Sequence, residues 1–206
     1  MSMRRIVDVA VAGIALVVLA PVLAGLALAV RLGSPGPAFF RQVRVGRGAR
    51  PFVLLKLRTM WDAASGPRLT GAADARVTPL GGWLRRWKLD ELPQLLNVLA
   101  GDMTLIGPRP EVPEYLGRLG PAGRDYVAVR PGLADAATIE FYDEAEMLAG
   151  APDPEQVYVE RILPEKARLS VAYARAQTLA SDLRLVWALV RRIAGVPAAP
   201  ALRHGR

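Results

Sequence analysis

From Val9 to Val30 the chain runs through twenty-two residues without a charge, almost all of them apolar. At ~1.5 Å of rise per residue such a helix reaches ~33 Å, about one hydrocarbon thickness. Arg4 and Arg5 precede it, and Arg31, Arg41, Arg44, Arg47 and Arg50 follow. Three readings compete. A cleaved signal peptide would explain the basic start and the small residues near Ala27-Leu28-Ala29, but its apolar stretch is normally much shorter. A simple spanning helix fits the length and not the flanks, because positive charge favours the cytoplasmic side and here both ends are positive. A re-entrant helix broken at Pro21 would return both ends to one face, since proline removes a backbone donor and clashes with the carbonyl four residues earlier. Charge and Pro21 leave the spanning and re-entrant forms both open. Asp8, at the edge of the segment, needs a partner, and Arg4 and Arg5 lie one turn before it.

Gly33-Ser34-Pro35-Gly36-Pro37 marks the exit from this segment. Ala38 to Val45 and Phe52 to Leu57 read as short strands around Gly46-Arg47-Gly48, which predicts a β-hairpin. Residues 61 to 82 lack periodicity and are rich in Gly, Ala, Asp, Thr and Pro, which predicts a long loop. A helix is expected over Glu91 to Ala100, with Pro93 in its first turn and Gly101 as its stop. A helical stretch is expected near Glu111 to Leu119. Leu179, Leu183, Val186, Val190 and Ile193 recur at helical steps, with Arg191 and Arg192 in the last turn. This last helix packs on a core or lies on a membrane surface, and Trp187 fits either. The pattern describes a mostly helical α+β chain: a membrane helix over 1–32, a catalytic body over 33–196 and a tail over 197–206.

Composition narrows the partners. The chain is 52% hydrophobic yet carries a formal charge of +8 over 206 residues, and its mean hydropathy is +0.22. That combination points to an anionic membrane surface rather than to nucleic acid, because aromatic residues are few and the arginines alternate with apolar residues. With no cysteine, disulfides and thiolate zinc sites are excluded. The single histidine, His204, stands in the tail. Nucleophile and base must come from Asp, Glu, Ser, Thr, Lys or Tyr.

Candidate chemistry gathers around Asp90-Glu91. Acidic residues at a helix start commonly cap orphan N–H groups, and an isolated pair would mean no more than that. This pair has company: Lys56-Leu57-Arg58-Thr59-Met60 upstream, then Asp102, Gly107-Pro108-Arg109-Pro110 and Arg130-Pro131-Gly132 downstream. Carboxylates beside rigidly mounted cations suit a phosphate handled with a divalent metal. Mg²⁺ takes one or two carboxylates with phosphate oxygens and water, and arginine forks bind phosphate bidentately. Pro108 and Pro110 restrict the backbone that aims Arg109.

These motifs resemble those of the bacterial sugar transferases, small monotopic phosphoglycosyl transferases that act on undecaprenyl phosphate. The most specific stretch is Leu89-Asp90-Glu91-Leu92-Pro93-Gln94-Leu95-Leu96-Asn97-Val98-Leu99-Ala100-Gly101-Asp102-Met103, continuing through Ile106-Gly107-Pro108-Arg109-Pro110-Glu111. Ser34-Pro35-Gly36-Pro37, Phe40-Arg41-Gln42, Arg44-Val45-Gly46, Lys56 to Met60 and Arg130-Pro131-Gly132 extend it over nearly the whole chain.

The resemblance implies a re-entrant helix with both ends on the cytoplasmic face of the bacterial inner membrane, with Arg5, Asp8 and Pro21 at its basic-acidic opening and its break. It implies that Asp90 attacks the β-phosphorus of a UDP-sugar, releases UMP and carries a phosphosugar, which undecaprenyl phosphate then takes up. Glu91, with Asp90, would hold Mg²⁺. Arg109 is the candidate for the transferred phosphate, and Lys56, Arg58 and Arg130 are further candidates for nucleotide or phosphate contacts. The product would prime exopolysaccharide, O-antigen or glycoprotein glycan assembly. A homodimer is neither required nor excluded. Several positions depart from the pattern. Ala20 stands where a serine usually precedes the helix-breaking proline, and Leu57 replaces a common Phe. Leu133-Ala134-Asp135 replaces Ile-Thr-Gly, which puts bulk and charge on a turn expected to face substrate and bears on the choice of sugar. A catalytically silent membrane scaffold is the alternative that this last departure motivates.

Overall fold

The computed structural model describes residues 2–62, 74–149 and 151–196. Its first element, α1 (Met3–Gly33), is one helix of 31 residues that starts on Ser2, whose hydroxyl accepts from the Arg5 N–H, and contains Pro21. It is long and apolar enough to cross a membrane by length and composition. Ile14, Val17, Val18 and Leu28 lie on its exposed side, whereas Asp8, Ala12 and Val30 are buried against the rest of the chain. A helix that bares so much apolar surface is stable in lipid and not in water.

Both ends of α1 are held. Near its start, Ala12, Ala15 and Leu16 pack with Leu54, Leu95, Val98 and Met103. Near its end, Leu23, Leu26, Ala27 and Val30 pack with Leu57 and Leu84. Asp8 finds its partners on a distant strand and not on the preceding turn of its own helix. Its carboxylate accepts from the Thr104 hydroxyl at 2.6 Å and from the Leu105 N–H at 3.1 Å. Arg5 is drawn elsewhere, donating to the carbonyls of Val98 at 2.6 Å and Leu99 at 2.9 Å. Those carbonyls close a helix whose C-terminal dipole end favours a cation.

The expected hairpin is β1 (Phe39–Val45) antiparallel to β2 (Pro51–Leu57), with Val43 opposite Val53. A 3-10 turn over Arg47–Ala49 joins them. The predicted loop over 61 to 82 falls in part on residues 63–73, which lie outside the described residues. Of the remainder, Met60 bridges Val77, and α2 (Pro79–Arg86) begins inside the expected loop, capped by the Thr78 hydroxyl. Gly81 and Gly82 conceal that helix from a propensity reading, although Thr78-Pro79 is a cap followed by proline at the first helical position.

The helix expected from Glu91 divides in two: a 3-10 turn over Leu89–Glu91, then α3 (Gln94–Ala100), which Gly101 ends at φ 95° as predicted. A short strand, β3 (Thr104–Ile106), follows, then α4 (Pro113–Arg118) and α5 (Ala122–Ala128). The next strand, β4 (Gly132–Ala134), pairs parallel with β3. Close approach requires the glycine at 132, where a Cβ would lie 2.2 Å from the Gly107 nitrogen. Three short helices come next, α6 (Ala136–Glu140), α7 (Glu144–Ala149) and α8 (Pro154–Val157). A π-turn over Tyr158–Ile162 leads into α9 (Leu163–Ala176), and α10 (Leu179–Ile193) spans the predicted amphipathic stretch. Leu185 of α10 is buried, while Leu179, Leu183 and Trp187 are exposed. The architecture is mostly helical α+β, and α3 with the two small sheets makes the frame on which the candidate site is mounted.

Candidate active site

Lys88 adopts a left-handed conformation, φ 56°, immediately before the turn that carries Asp90 and Glu91. A non-glycine residue there costs about 1–2 kcal/mol, so the packing around it must impose the bend. Asn97 sets the site's position. From the middle of α3 its side chain accepts from the Leu55 N–H at 3.1 Å and donates to the Val53 carbonyl at 2.7 Å. It thus acts as an extra rung on β2 and fixes α3 against the strand that carries Lys56. Asn97 was not a site candidate from the sequence. The signal was a polar residue within the apolar run Leu95-Leu96-Asn97-Val98-Leu99.

Glu91 receives both cations. Arg109 donates Nη2 to Oε1 at 2.5 Å and Nη1 to Oε2 at 3.2 Å, and the Lys56 Nζ reaches Oε1 at 3.2 Å. Asp90 is buried beside them, and its Oδ1 has no hydrogen-bond partner. The two carboxyls therefore titrate apart. Burial, reinforced by Glu91, pushes the Asp90 carboxyl above its usual range against the pull of Lys56 and Arg109. Burial acts on Glu91 in the same direction, but Arg109 and Lys56 outweigh it and hold Glu91 well below the usual carboxylate range. Burial lowers the Lys56 ammonium even with Glu91 opposing it, and Glu91 pushes the Arg109 guanidinium higher still.

The loop bearing Arg109 is fastened on several sides. Its own carbonyl accepts from the Tyr126 hydroxyl. The Pro110 carbonyl accepts from Arg44 at 3.0 Å, and Glu111 accepts from the Tyr158 hydroxyl at 2.9 Å. The Val45 N–H donates to the Glu111 carbonyl at 2.9 Å. Pro108 and Pro110 are buried and stiffen the loop that presents Arg109. One further cation escaped the sequence reading. Arg85 of α2 donates Nε to the Thr59 hydroxyl at 2.8 Å; burial lowers its guanidinium, and the field of Asp90 opposes that.

Residues 1–195 match the bacterial sugar transferase family. The chain belongs to that family. It is 40% identical over 196 residues to a UDP-glucose:undecaprenyl-phosphate glucose-1-phosphate transferase of Caulobacter vibrioides, covering 89% of this chain and 66% of that protein. An undecaprenyl-phosphate glucose phosphotransferase of Komagataeibacter xylinus is 35% identical over 198 residues, 92% of this chain and 35% of that protein. The exopolysaccharide production protein PSS of Rhizobium leguminosarum bv. phaseoli is 34% identical over 209 residues, 91% of this chain and 93% of that protein. The chain thus spans about two thirds of the Caulobacter relative and about a third of the Komagataeibacter one.

Elsewhere in the chain, the other expected phosphate contacts separate from the pair. Arg58 is buried, and its guanidinium is occupied by backbone carbonyls: Pro37 at 2.6 Å, Ser34 at 2.9 Å and Pro35. It ties the breaker cluster after α1 to the end of β2 and offers nothing to a phosphate beside Glu91. Arg130 lines a separate cleft with Arg47, Arg50 and Asp102. The departure at Asp135 also resolves structurally. Asp135 is 1% exposed and caps α6, accepting from the Thr138 N–H at 2.8 Å and from the Ser170 hydroxyl. Its charge is used inside the fold, so the expectation that it intrudes on a substrate-facing turn does not hold.

Proposed function

We propose that the chain is a phosphoglycosyl transferase that moves a sugar 1-phosphate from a UDP-sugar to undecaprenyl phosphate at the cytoplasmic face of the bacterial inner membrane. The observation that carries this reading is the asymmetry of the acidic pair: Asp90 has a free oxygen, and Glu91 is gripped by Arg109 and Lys56. Asp90 has an oxygen that no cation holds, enclosed but without a hydrogen-bond partner, whereas both oxygens of Glu91 are taken. The Asp90 carboxylate would attack the β-phosphorus of the donor. The bond from that phosphorus to the bridging oxygen would break, and UMP would leave with the electron pair. An oxygen of undecaprenyl phosphate would then attack the same phosphorus and release Asp90, giving undecaprenyl diphosphate sugar. Arg109 and Lys56, held against Glu91, would turn toward the diphosphate as it enters.

The donor set suits Mg²⁺. Among the described residues no group of three or more acidic or histidine side chains gathers, so an ion there would lean on Asp90, and on Glu91 once Arg109 and Lys56 turn to the diphosphate, and complete its shell with substrate oxygens and water, as Mg²⁺ does. When bound it would offset charge on the diphosphate and the departing UMP. The re-entrant form of α1 belongs to the same reading. α1 runs unbroken through Pro21 and packs on the body at positions from Ala12 to Val30; the basic flanks and Pro21 support the re-entrant form, in which the helix would break at that proline.

The names of the relatives include UDP-glucose transferases and an Aeromonas hydrophila enzyme acting on UDP-N-acetylgalactosamine. The test is UMP release from a panel of such donors with undecaprenyl phosphate, Mg²⁺ and detergent-solubilised protein, beside Asp90→Asn. Release that depends on the donor and is lost in the variant is expected. Equal release by the variant would remove Asp90 as nucleophile, and silence of folded protein with every donor would favour a scaffold.

A further inference from the structure

The cleft of about 420 Å³ between the hairpin tip and the end of α3 lies away from the acidic pair. Phe52, on its wall, and Lys56, at Glu91, are four residues apart on one extended strand, ~13 Å at ~3.3 Å per residue. Arg47, Arg50, Arg130 and Asp102 line it. Arg47 commits Nε to the Ala128 carbonyl at 3.2 Å and keeps its terminal nitrogens. Among the described residues, no ion pair engages any of the three arginines. Asp102 receives only a long 3.5 Å contact from Asn97. Three guanidinium groups against one carboxylate leave an excess of positive charge in a concave site, and mutual repulsion alone would not keep them there.

We propose that this cleft binds a phosphate ester at a second site, separate from the phosphate handled by Asp90 and Glu91. The arginines supply fork geometry for phosphate oxygens. Asp102 supplies an acceptor for a hydroxyl or ammonium next to the ester, so the ligand is a phosphate monoester or diester with such a group close by. Two sources share that chemistry: a phospholipid headgroup and a soluble phosphate ester. The rim admits either. Gly101 borders Arg5 at the start of α1, and Leu99 beside it is exposed.

The experiment follows arginine Nε–H resonances in full-chain, ¹⁵N-labelled protein in a neutral detergent, titrated in one arm with glycerol 3-phosphate and in the other with phosphatidylglycerol. The expected result is a saturable shift shared by Arg47, Arg50 and Arg130 at concentrations that leave Arg109 unmoved. Arg47→Gln/Arg50→Gln should weaken the response of Arg130 at least tenfold. Saturation in the lipid arm alone identifies a headgroup site, and comparable saturation in both identifies a site for soluble esters as well. Linear drift without saturation, a response locked to that of Arg109, or unchanged affinity in the double variant overturns the proposal. Arg130→Gln guards against misfolding at the hairpin tip, since it should weaken the shared shift of Arg47 and Arg50 without altering the turn.

Discussion

Arg109 holds Glu91 by both arms of its guanidinium, Nη2 to Oε1 at 2.5 Å and Nη1 to Oε2 at 3.2 Å. The fork leaves Glu91 no uncontested oxygen and leaves Asp90 as the open carboxylate of the pair. Division of labour between two adjacent carboxylates thus begins with an arginine eighteen positions away in sequence, on a loop fastened by Tyr126, Arg44 and Tyr158.

The grip makes Arg109→Lys a severe change. A lysine keeps the charge and loses the fork, so Glu91 falls to Lys56 and water. Activity measured as UMP release should drop by ~10²-fold or more, in the range seen when one preorganised donor is removed from a reacting site. Stability should fall less, by about 1–3 kcal/mol, because the Arg109 side chain is 31% exposed and solvent replaces part of the pair. A variant with wild-type turnover would separate Arg109 from the chemistry altogether.

Asp90 is expected to destabilise the fold that uses it. Its carboxyl sits above the usual range in the folded state, so the folded protein binds the proton more tightly than the unfolded chain does. The stability linked to that proton is fully present below the unfolded value, near pH 4, and is lost as pH rises through the folded one. At pH 7 the ionised form is buried with an unpartnered oxygen. Asp90→Asn should therefore melt higher than wild type at pH 7, with the gap closing toward pH 4, while turnover vanishes. Without divalent metal, Glu91→Gln should bring the Asp90 carboxyl down toward its usual range and narrow the melting gap, since it removes a neighbouring negative charge and frees Arg109 and Lys56 to act on Asp90. Identical melting of wild type and Asp90→Asn across that range would contradict the linkage.

Much of this was legible in the chain because the signals were local. The hairpin, the Gly101 stop, the amphipathic α10 and the motif around Asp90-Glu91 are each written within one continuous stretch of the chain. What escaped depends on contacts between distant segments. The β3–β4 pair is three residues a side and parallel, too short for a period to register. Asp8 looked for a cation on its own helix and found Thr104, and Arg58 looked like a phosphate ligand and became a clamp on carbonyls. In each case the residue type announced a strong hydrogen-bonding group, and only the packing could assign its partner.

Arg58 offers a direct test of that distinction. Its guanidinium bonds the carbonyls of Pro37 and Ser34 from a position that is 5% exposed. Arg58→Gln would strand the carbonyl of buried Ser34 at a cost of about 1–3 kcal/mol, with less from the carbonyl of exposed Pro37, which water can reach. Denaturation in detergent should show that loss. The KM for the UDP-sugar should stay within about twofold, because a lost ground-state contact would raise it and none is made. A rise in KM without loss of stability would return Arg58 to the substrate.

Asp135→Gly restores the residue that the family pattern usually carries, and the outcome should run against what that pattern suggests. In this chain the carboxylate caps α6 through the Thr138 N–H at 2.8 Å and meets Ser170 of α9 in a fully buried position. Removing it leaves the α6 terminus and the Ser170 hydroxyl short of an acceptor. Replacing a cap by glycine costs only a few tenths of a kcal/mol, so most of the loss comes from the stranded Ser170 hydroxyl, ~1 kcal/mol or more. The variant should melt lower and keep the wild-type ranking of donors, because the Asp135 side chain is enclosed between two helices with its oxygens already bonded. Were the ranking to change while the melting temperature held, Asp135 would act on the sugar and the cap would be incidental.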